Sequence, residues 1–458
     1  MTSGAFRLLD AVDRTRNGPP CKARDFDLKL LPSRIQDLQK EYGIKYDPDR
    51  PVNDDNSLAD ALYQAGLRLF LDVGVLCVDT DRRITFTEDE VKQALRDQPG
   101  RVLVGQGKDA REMYCRKIED STRPVIFGGP VGGLVSPGRP FLDAITSMAK
   151  EPIISMVQYG SISSIEGRPI IIGSPLEIHA ARCESRWMRE AAARAGRPGM
   201  HLMGSSAQSA AAEIANSDPI MGYRPTDGRN TCLLSSLKID YNQLNKVKHF
   251  LDYSTFICAY HNDLIGGYTR GADGSAIACV ASAIANVMVN CATYHCIGAP
   301  HIRYVSTTNR MSIWADHLVS QALSRNTHLI SFASLISSAG PCTEMLLYET
   351  AVFGLLAVSG ANLMGTMGYG SKRPDRCTGL EEKFLGEIGY AATGLRRDEA
   401  NEITNKILPR YENKFENPPP GKTFQQCYDS EKLIPTSEWQ GLYESAKHEI
   451  RNLGIPVE

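Results

Sequence analysis

From about residue 120 onwards, short apolar runs alternate with stretches of helical spacing, and this rhythm limits the possible folds more than any other feature of the chain. The runs lie at 124–127, 153–157, 201–203, 255–259, 301–305, 329–332 and 362–364, and they tend to close on Gly, Ser, Thr or Asn. Strands buried on both faces lose polar alternation, and helices between them imply parallel crossovers. Seven such units, with 102–104 or a cryptic strand as the eighth, predict a closed (β/α)8 barrel. An open doubly wound sheet is the alternative. It normally carries a Gly-rich nucleotide fingerprint after its first strand, whereas Gly105-Gln106-Gly107 runs on into Lys108-Asp109-Ala110 and fails that pattern.

A chain of 458 residues exceeds the ~250 of a bare barrel. The expected class is α/β: a (β/α)8 TIM barrel over 121–400, an N-terminal α+β extension over 1–120 and a C-terminal helical extension over 401–458. In the first extension the spacing predicts helices at 31–42 and 57–74 and a hairpin of 75–79 with 84–86. Thr87-Glu88-Asp89-Glu90 then opens a helix with an N-cap and an acidic first turn. In the second, a helix at 402–411 precedes the break Pro418-Pro419-Pro420-Gly421. A last helix is capped near Thr436-Ser437-Glu438 and ended by Gly454.

A formal net charge of -2 offers no basic face for phosphate, so nucleic acid is not an expected partner. No basic segment leads into an apolar one after Met1, so no signal peptide is expected. The longest uncharged run, 274–302, is long enough to cross a bilayer. It contains Asn286, Asn290, Thr293 and His295 and ends in Gly298 and Pro300, so the reading is a buried helix feeding a strand, with no membrane span. Twelve cysteines without a CxxC pair suit free thiols in a reducing cytoplasm.

Three patterns in the sequence bear on chemistry. Gly128-Gly129-Pro130-Val131-Gly132-Gly133 after the first run reads as a tight rim loop, with anion or cofactor binding as the alternative; no Gly-Lys-Ser/Thr completes a phosphate loop. Cys291, His295 and Cys296, read on one helix with His301 beyond, suggest zinc, but Cys296 points about 100° from the shared face of the other two. Buried core residues are the favoured reading, and no metal is expected. No Gly-x-Ser-x-Gly elbow supports a hydrolase.

The segment Gly196-Arg197-Pro198-Gly199-Met200-His201-Leu202-Met203-Gly204 is the most informative. A helix at 177–195, with Ala180, Cys183, Trp187, Ala191 and Ala195 at helical spacing, runs into the left-handed cap Gly196. Pro198 and Gly199 turn the chain into a short strand ending at Gly204, where a barrel has its mouth and usually its chemistry. The segment resembles the monomethylamine methyltransferases, in which a Gly-Arg-Pro-Gly-Met turn leads to a genetically encoded pyrrolysine just before a glycine. Met203 stands at that position here.

The resemblance extends over nearly the whole chain. Its landmarks are Leu103-Val104-Gly105 with Gly107-x-Asp109-Ala110, Gly128-Gly129-Pro130, Leu237-Lys238-Ile239-Asp240, Gly266-Gly267-Tyr268 and His301-Ile302-Arg303. The longest are Ala339-Gly340-Pro341-Cys342-Thr343-Glu344-Met345 and Gly421-Lys422-Thr423-Phe424-Gln425 with Cys427-Tyr428-Asp429. The resemblance implies a barrel enzyme, in a homohexamer, that moves a methyl group from a methylamine to the Co(I) of a corrinoid carried by a separate protein, with no cofactor tightly bound. In the family, pyrrolysine's imine captures the amine while carboxylates and an amide manage protons.

Matched without gaps, the two family glutamates fall on Asn230 and Tyr260, the glutamine on Ser334 and a nearby tyrosine on Ile336. With Met203 this is a consistent loss of the amine-capturing set, and Met203, Asn230, Tyr260 and Ser334 are the expected catalytic positions. A displaced register would offer Glu213 or Asp263 as a carboxylate instead. The expected substrate contacts are Leu335, Ile336, Tyr304, Phe332 and His261. Tyr260, Tyr304, Trp314 and Phe332 are candidates for a cation–π cage, their alternative being ordinary core or interface aromatics. Two substrates follow: a small methylamine, or an already cationic N-methyl compound that needs no imine. A degenerate barrel kept as a binding or assembly protein is the reading outside the family's function.

Overall fold

The computed structural model describes residues 3–204 and 208–458. Eight parallel strands close a barrel: β1 (Ile126–Gly128), β2 (Met156–Gln158), β3 (Leu202–Gly204), β4 (Gly228–Cys232), β5 (Phe256–Asn262), β6 (Tyr294–Gly298), β7 (Ser331–Ile336) and β8 (Asn362–Met367). Each pairs with the next in the chain, and β8 returns to β1. Helices separate most of the strands and form the outer layer, as the alternating rhythm predicts.

Two strands depart from the expectation. Residues 301–305 are not a strand. The helix Ala272–Val289 stops early, Cys291 turns the chain with φ 49°, and β6 follows at once. The run at 301–305 is instead a turn closed by His301 N–H donating to Ser306 O at 2.9 Å. Its Ile302 and Val305 are exposed, which is why apolar content alone misplaced it. The eighth strand is β4, hidden because Arg229, Asn230 and Thr231 give it a polar reading. Arg229 and Thr231 point outward to buried polar partners that only the fold supplies.

Residues 101–104 pair antiparallel with Arg111–Tyr114. Val104 and Met113 of this hairpin pack with Phe127, Tyr294, Ile330 and Phe332, so it stoppers the N-terminal end of the barrel. The same hairpin explains two family landmarks. Gln106 N–H donates to Gly199 O at 2.8 Å, and Gly199 N–H donates to Asp109 Oδ2 at 3.0 Å. A Cβ on Gly199 would lie 2.2 Å from Gln106 O, so only glycine permits this latch.

The N-terminal residues form the expected helices, Leu31–Tyr42 and Asn56–Val73; the hairpin pairs Val75–Cys77 with Arg82–Ile84 rather than 75–79 with 84–86, and Lys238–Ile239 adds to it in parallel. Thr87 and Glu90 form the expected capping box. These elements share a core with Ala272–Val289, the one helix among the described residues long and apolar enough to cross a membrane. Of its window, 94% is buried, which is the behaviour of a core helix. The last helix, Ser437–Leu453, ends at left-handed Gly454 and sets Trp439, Tyr443 and Ile450 against the barrel's helices. The two longest landmarks also meet: Gly340 N–H donates to Pro419 O and Lys422 N–H to Pro341 O. A Cβ on Gly340 would lie 2.0 Å from Pro420 O, so the backbones touch there.

Candidate active site

Alternation along the strands assigns the lumen. Phe127, Met156, Met203, Cys258, Tyr294, Cys296, Phe332 and Met364 form one buried cluster inside the barrel. Its floor is aromatic: Phe332 packs 5.7 Å from Phe127 and 5.9 Å from Tyr294, ring centre to ring centre. Above that floor lies a layer of sulfur. Cys296 Sγ is 3.5 Å from Met364 Sδ, and Met203, fully buried, faces the same space.

Tyr260 spans this layer. Its hydroxyl donates to Gln158 Oε1 at 2.8 Å, and lies 3.4 Å from Met364 Sδ and 4.0 Å from Met203 Sδ. Register explains the meeting, since Met203 is level with Gln158 on β2 while Tyr260 is level with Cys296 on β6. Asn230 Nδ2 donates to the hydroxyl of Tyr159 at 3.0 Å, just beyond β2. Tyr159, Asn230 and Tyr260 are half-buried, unlike the layer beneath them, and they line the open side. Gln158 Nε2 is a buried donor with no hydrogen-bond partner.

Among the described residues, the side chains that line this layer carry no formal charge. None of the eight strands contains Asp or Glu. Burial raises Tyr260 well above the ordinary phenol range, and the buried thiols beside it push the same way. Burial also pushes the Cys296 thiol up to about 12, against the pull of Ser334 and Tyr260, and draws His201 below the floor down to about 4. All remain neutral near pH 7.

The four expected catalytic positions, Met203, Asn230, Tyr260 and Ser334, all lie on inward-facing registers of the barrel, with Ser334 beside Cys296. Several expected substrate contacts do not reach the lumen. His261 follows inward-facing Tyr260 and points out, its Nδ1 3.2 Å from Asn286 Nδ2. Leu335 points out for the same reason and packs among the surrounding helices. Tyr304 lies in the turn after β6, stacked between His301 and Phe415 at 4.4 and 5.2 Å. Trp314 sits 5.4 Å from Tyr46 in the outer shell. Phe332 faces inward but belongs to the floor. Ile336 ends β7 opposite Met367 at the rim.

Neither alternative carboxylate enters the site. Glu213 is buried against Arg229 outside the barrel, and Asp263 lies buried beyond the end of β5. The zinc pattern does not assemble: Cys291 lies in the turn, and His295 and Cys296 face opposite sides of β6. The loop 128–133 spends its amides on the protein, Gly132 N–H on Tyr159 O and Gly133 N–H on Pro130 O, which fits a rim loop rather than an anion cradle. Sequence reasoning missed Gln158, Tyr159 and Met364. The apolar run at 153–157 stops one residue before Gln158, so polarity hid the strand's working end.

The chain matches the family model described as "Monomethylamine methyltransferase MtmB" over residues 6–455. It is 31% identical to monomethylamine methyltransferase MtmB of Methanosarcina mazei and to MtmB1 of Methanosarcina acetivorans, over 98% of both chains in each case. The crystal structure of the Methanosarcina barkeri monomethylamine methyltransferase (MtmB) superposes with a TM-score of 0.95 at 31% identity, covering 98% of each chain. A hydroxylamine complex of MtmB matches equally well. With the closed barrel and the match running from end to end, the chain belongs to the monomethylamine methyltransferase MtmB family.

Proposed function

We propose that this enzyme takes a methyl group from a quaternary or otherwise already cationic N-methyl compound and passes it to the Co(I) of a corrinoid carried by a partner protein. The observation that carries this reading is the uncharged lumen around Met203, Tyr260 and Gln158, in a family whose named substrate is an amine. A small ammonium ion placed there would lose its hydration and find no carboxylate, a cost on the order of several kcal/mol. A methylated cation has no N–H to satisfy, and the ring faces of Tyr260 and Tyr159 would each contribute about 0.5–2 kcal/mol.

The chemistry needs no acid. The methyl carbon forms its bond to the incoming nucleophile as its bond to nitrogen breaks. The electron pair stays on nitrogen, which leaves as a neutral amine without a proton. The corrinoid is the second substrate and supplies that nucleophile. The chain's own residues hold the cation and keep water out: Met203, Met364 and Cys296 form an apolar wall, and Gln158 Nε2 is free to donate to an acceptor on the substrate. The partner would meet the rim, where Ile171 and Ile172 on the loop after β2 are exposed, 67% and 65%. A reducing cytoplasm suits the twelve unpaired cysteines, and the oligomer proposed is the homohexamer that the resemblance implies.

The test supplies the protein with a Co(I) corrinoid protein encoded beside its gene and a panel of mono-, di-, tri- and tetra-alkylated amines and betaines, following cobalt methylation spectroscopically. Turnover of quaternary substrates is expected. Turnover of monomethylamine alone, the substrate named for the relatives, would favour that reading instead.

A further inference from the structure

Behind the strand that carries Tyr260, a separate polar cluster is buried outside the barrel, where β5 meets the helix Ala272–Val289. His261 on β5, Asp263 just beyond it and Cys279 on the helix each bring one nitrogen, oxygen or sulfur atom to within 4.8 Å of the others. Their exposures are 2%, 1% and 0%, so water does not serve them from the surface. His261 Nε2 has no hydrogen-bond partner. The Asp263 carboxyl has only the hydroxyls of Ser236 and Ser282 and the Cys279 thiol for partners, and Cys279 Sγ lies 3.8 Å from Gly298 O. Buried polar groups are nearly always satisfied, so an imidazole nitrogen left without a partner beside a buried carboxyl and a buried thiol calls for one the chain does not supply.

The donor set says what that partner is. Imidazole nitrogen, carboxylate oxygen and thiolate sulfur are three donors that together suit a borderline-soft cation such as zinc; calcium and magnesium would ask for oxygen alone. An outer layer is present as well. His261 Nδ1 lies 3.2 Å from the Asn286 amide, Asn286 lies 2.7 Å from the Asn290 amide, and Asn290 lies 3.3 Å from Thr231 Oγ1. Thr231 in turn reaches Gln243 Oε1 at 3.2 Å. With the two amides turned about, the Asn286 carbonyl accepts from His261 Nδ1–H. Asn286 then donates to Asn290, Asn290 to Thr231, and Thr231 to Gln243. In that orientation of the amides Nδ1 carries the proton and Nε2 is left as a ligand, which is how metal-binding histidines are usually held.

We propose that His261, Asp263 and Cys279 bind one zinc-class divalent cation, a structural clamp that ties the end of β5 to the helix Ala272–Val289 behind the substrate lumen. The cation takes no part in methyl transfer. It replaces the thiol proton of Cys279 and fastens the strand on which Tyr260 is mounted.

Elemental analysis of the full-length protein, grown with zinc and dialysed against a weak chelator, is expected to find about one zinc per chain. Cys279→Ser and His261→Gln should drop to background while Cys291→Ser, outside the cluster, keeps its metal. As a second measurement that does not depend on the variants folding, metal-stripped wild-type protein titrated with Co(II) should develop a thiolate-to-cobalt charge-transfer band and tetrahedral d–d bands at one equivalent. Its Tm should rise as metal is restored. Wild-type protein that holds no zinc and gives no thiolate–cobalt spectrum would overturn the proposal. So would metal retained in full by both Cys279→Ser and His261→Gln, which would mark it as adventitious.

Discussion

The hydroxyl of Tyr260 lies 4.0 Å from the sulfur of Met203 and spends its proton on Gln158 Oε1 at 2.8 Å. Three strands thus present a phenol, a thioether and an amide to one another at the centre of the barrel. Met203, which the family resemblance aligns with the reactive residue, is fully buried among them.

If Met203 is the encoded residue, codon 203 reads ATG, and the tryptic peptide spanning it from natively produced protein has the mass of methionine. A TAG codon, or the mass of pyrrolysine, would return monomethylamine to the front and remove the basis for a quaternary substrate.

Met203→Ala is expected to cost about 2–5 kcal/mol of stability, because a fully buried side chain leaves a cavity. Met203→Leu should cost less than about 1.5 kcal/mol. As the sulfur forms no bond in the proposed reaction, Met203→Leu should retain kcat/KM to within about tenfold. Urea denaturation and cobalt methylation measure the two effects. A leucine variant that is stable but inactive would make the thioether a participant.

Tyr260→Phe keeps the ring and removes the donor, leaving the whole Gln158 amide unpaired at a cost of about 1–3 kcal/mol. Tyr260→Ala removes the cation-facing ring as well, and KM for a quaternary amine should rise by roughly 2- to 30-fold, the equivalent of one cation–π contact. Comparing KM between these two variants separates binding by the ring from support by the hydroxyl.

Arg229 is fully buried against Glu213. It is also bound to Glu213 O at 3.0 Å and Ser217 Oγ at 2.9 Å, with the rings of Tyr223 and Phe250 over its guanidinium at 4.8 and 5.3 Å. Glu213→Gln alone should cost about 3–5 kcal/mol by stranding a buried charge, whereas paired replacement by methionines should recover much of that loss. Chemical denaturation of both proteins tests it.

Glu349 holds the rim, accepting from Thr308 Oγ1 at 2.6 Å and from the backbone N–H of Ser338 and Ala339 at 2.8 and 3.0 Å. Burial outweighs these donors and raises its carboxyl from 4.5 to about 7. Between those values the unfolded chain has released this proton and the folded chain has not. Glu349 therefore makes stability fall as pH rises from 4.5 to about 7, after which its contribution levels off. Glu349→Gln should flatten that part of the stability profile, read as Tm against pH. An unchanged slope would show that the carboxyl is already ionised.

The sequence by itself determined the barrel, the helical punctuation and the family. Buried parallel strands must be apolar on both faces, and the glycines at 199 and 340 mark places where two backbones touch and no side chain fits. What the sequence did not determine was which side of a strand a residue faces, because that alternates with every residue and a shift of one reverses it. His261 and Leu335 fall in the outer shell for this reason, and Ile302, apolar in sequence, is exposed by the fold. The eighth strand stayed hidden because Arg229 and Thr231 are polar in sequence, yet buried against Glu213, Gln243 and Asn290 in the fold. Only tertiary structure decided these points, since the partners that make a buried polar group tolerable come from segments far away along the chain.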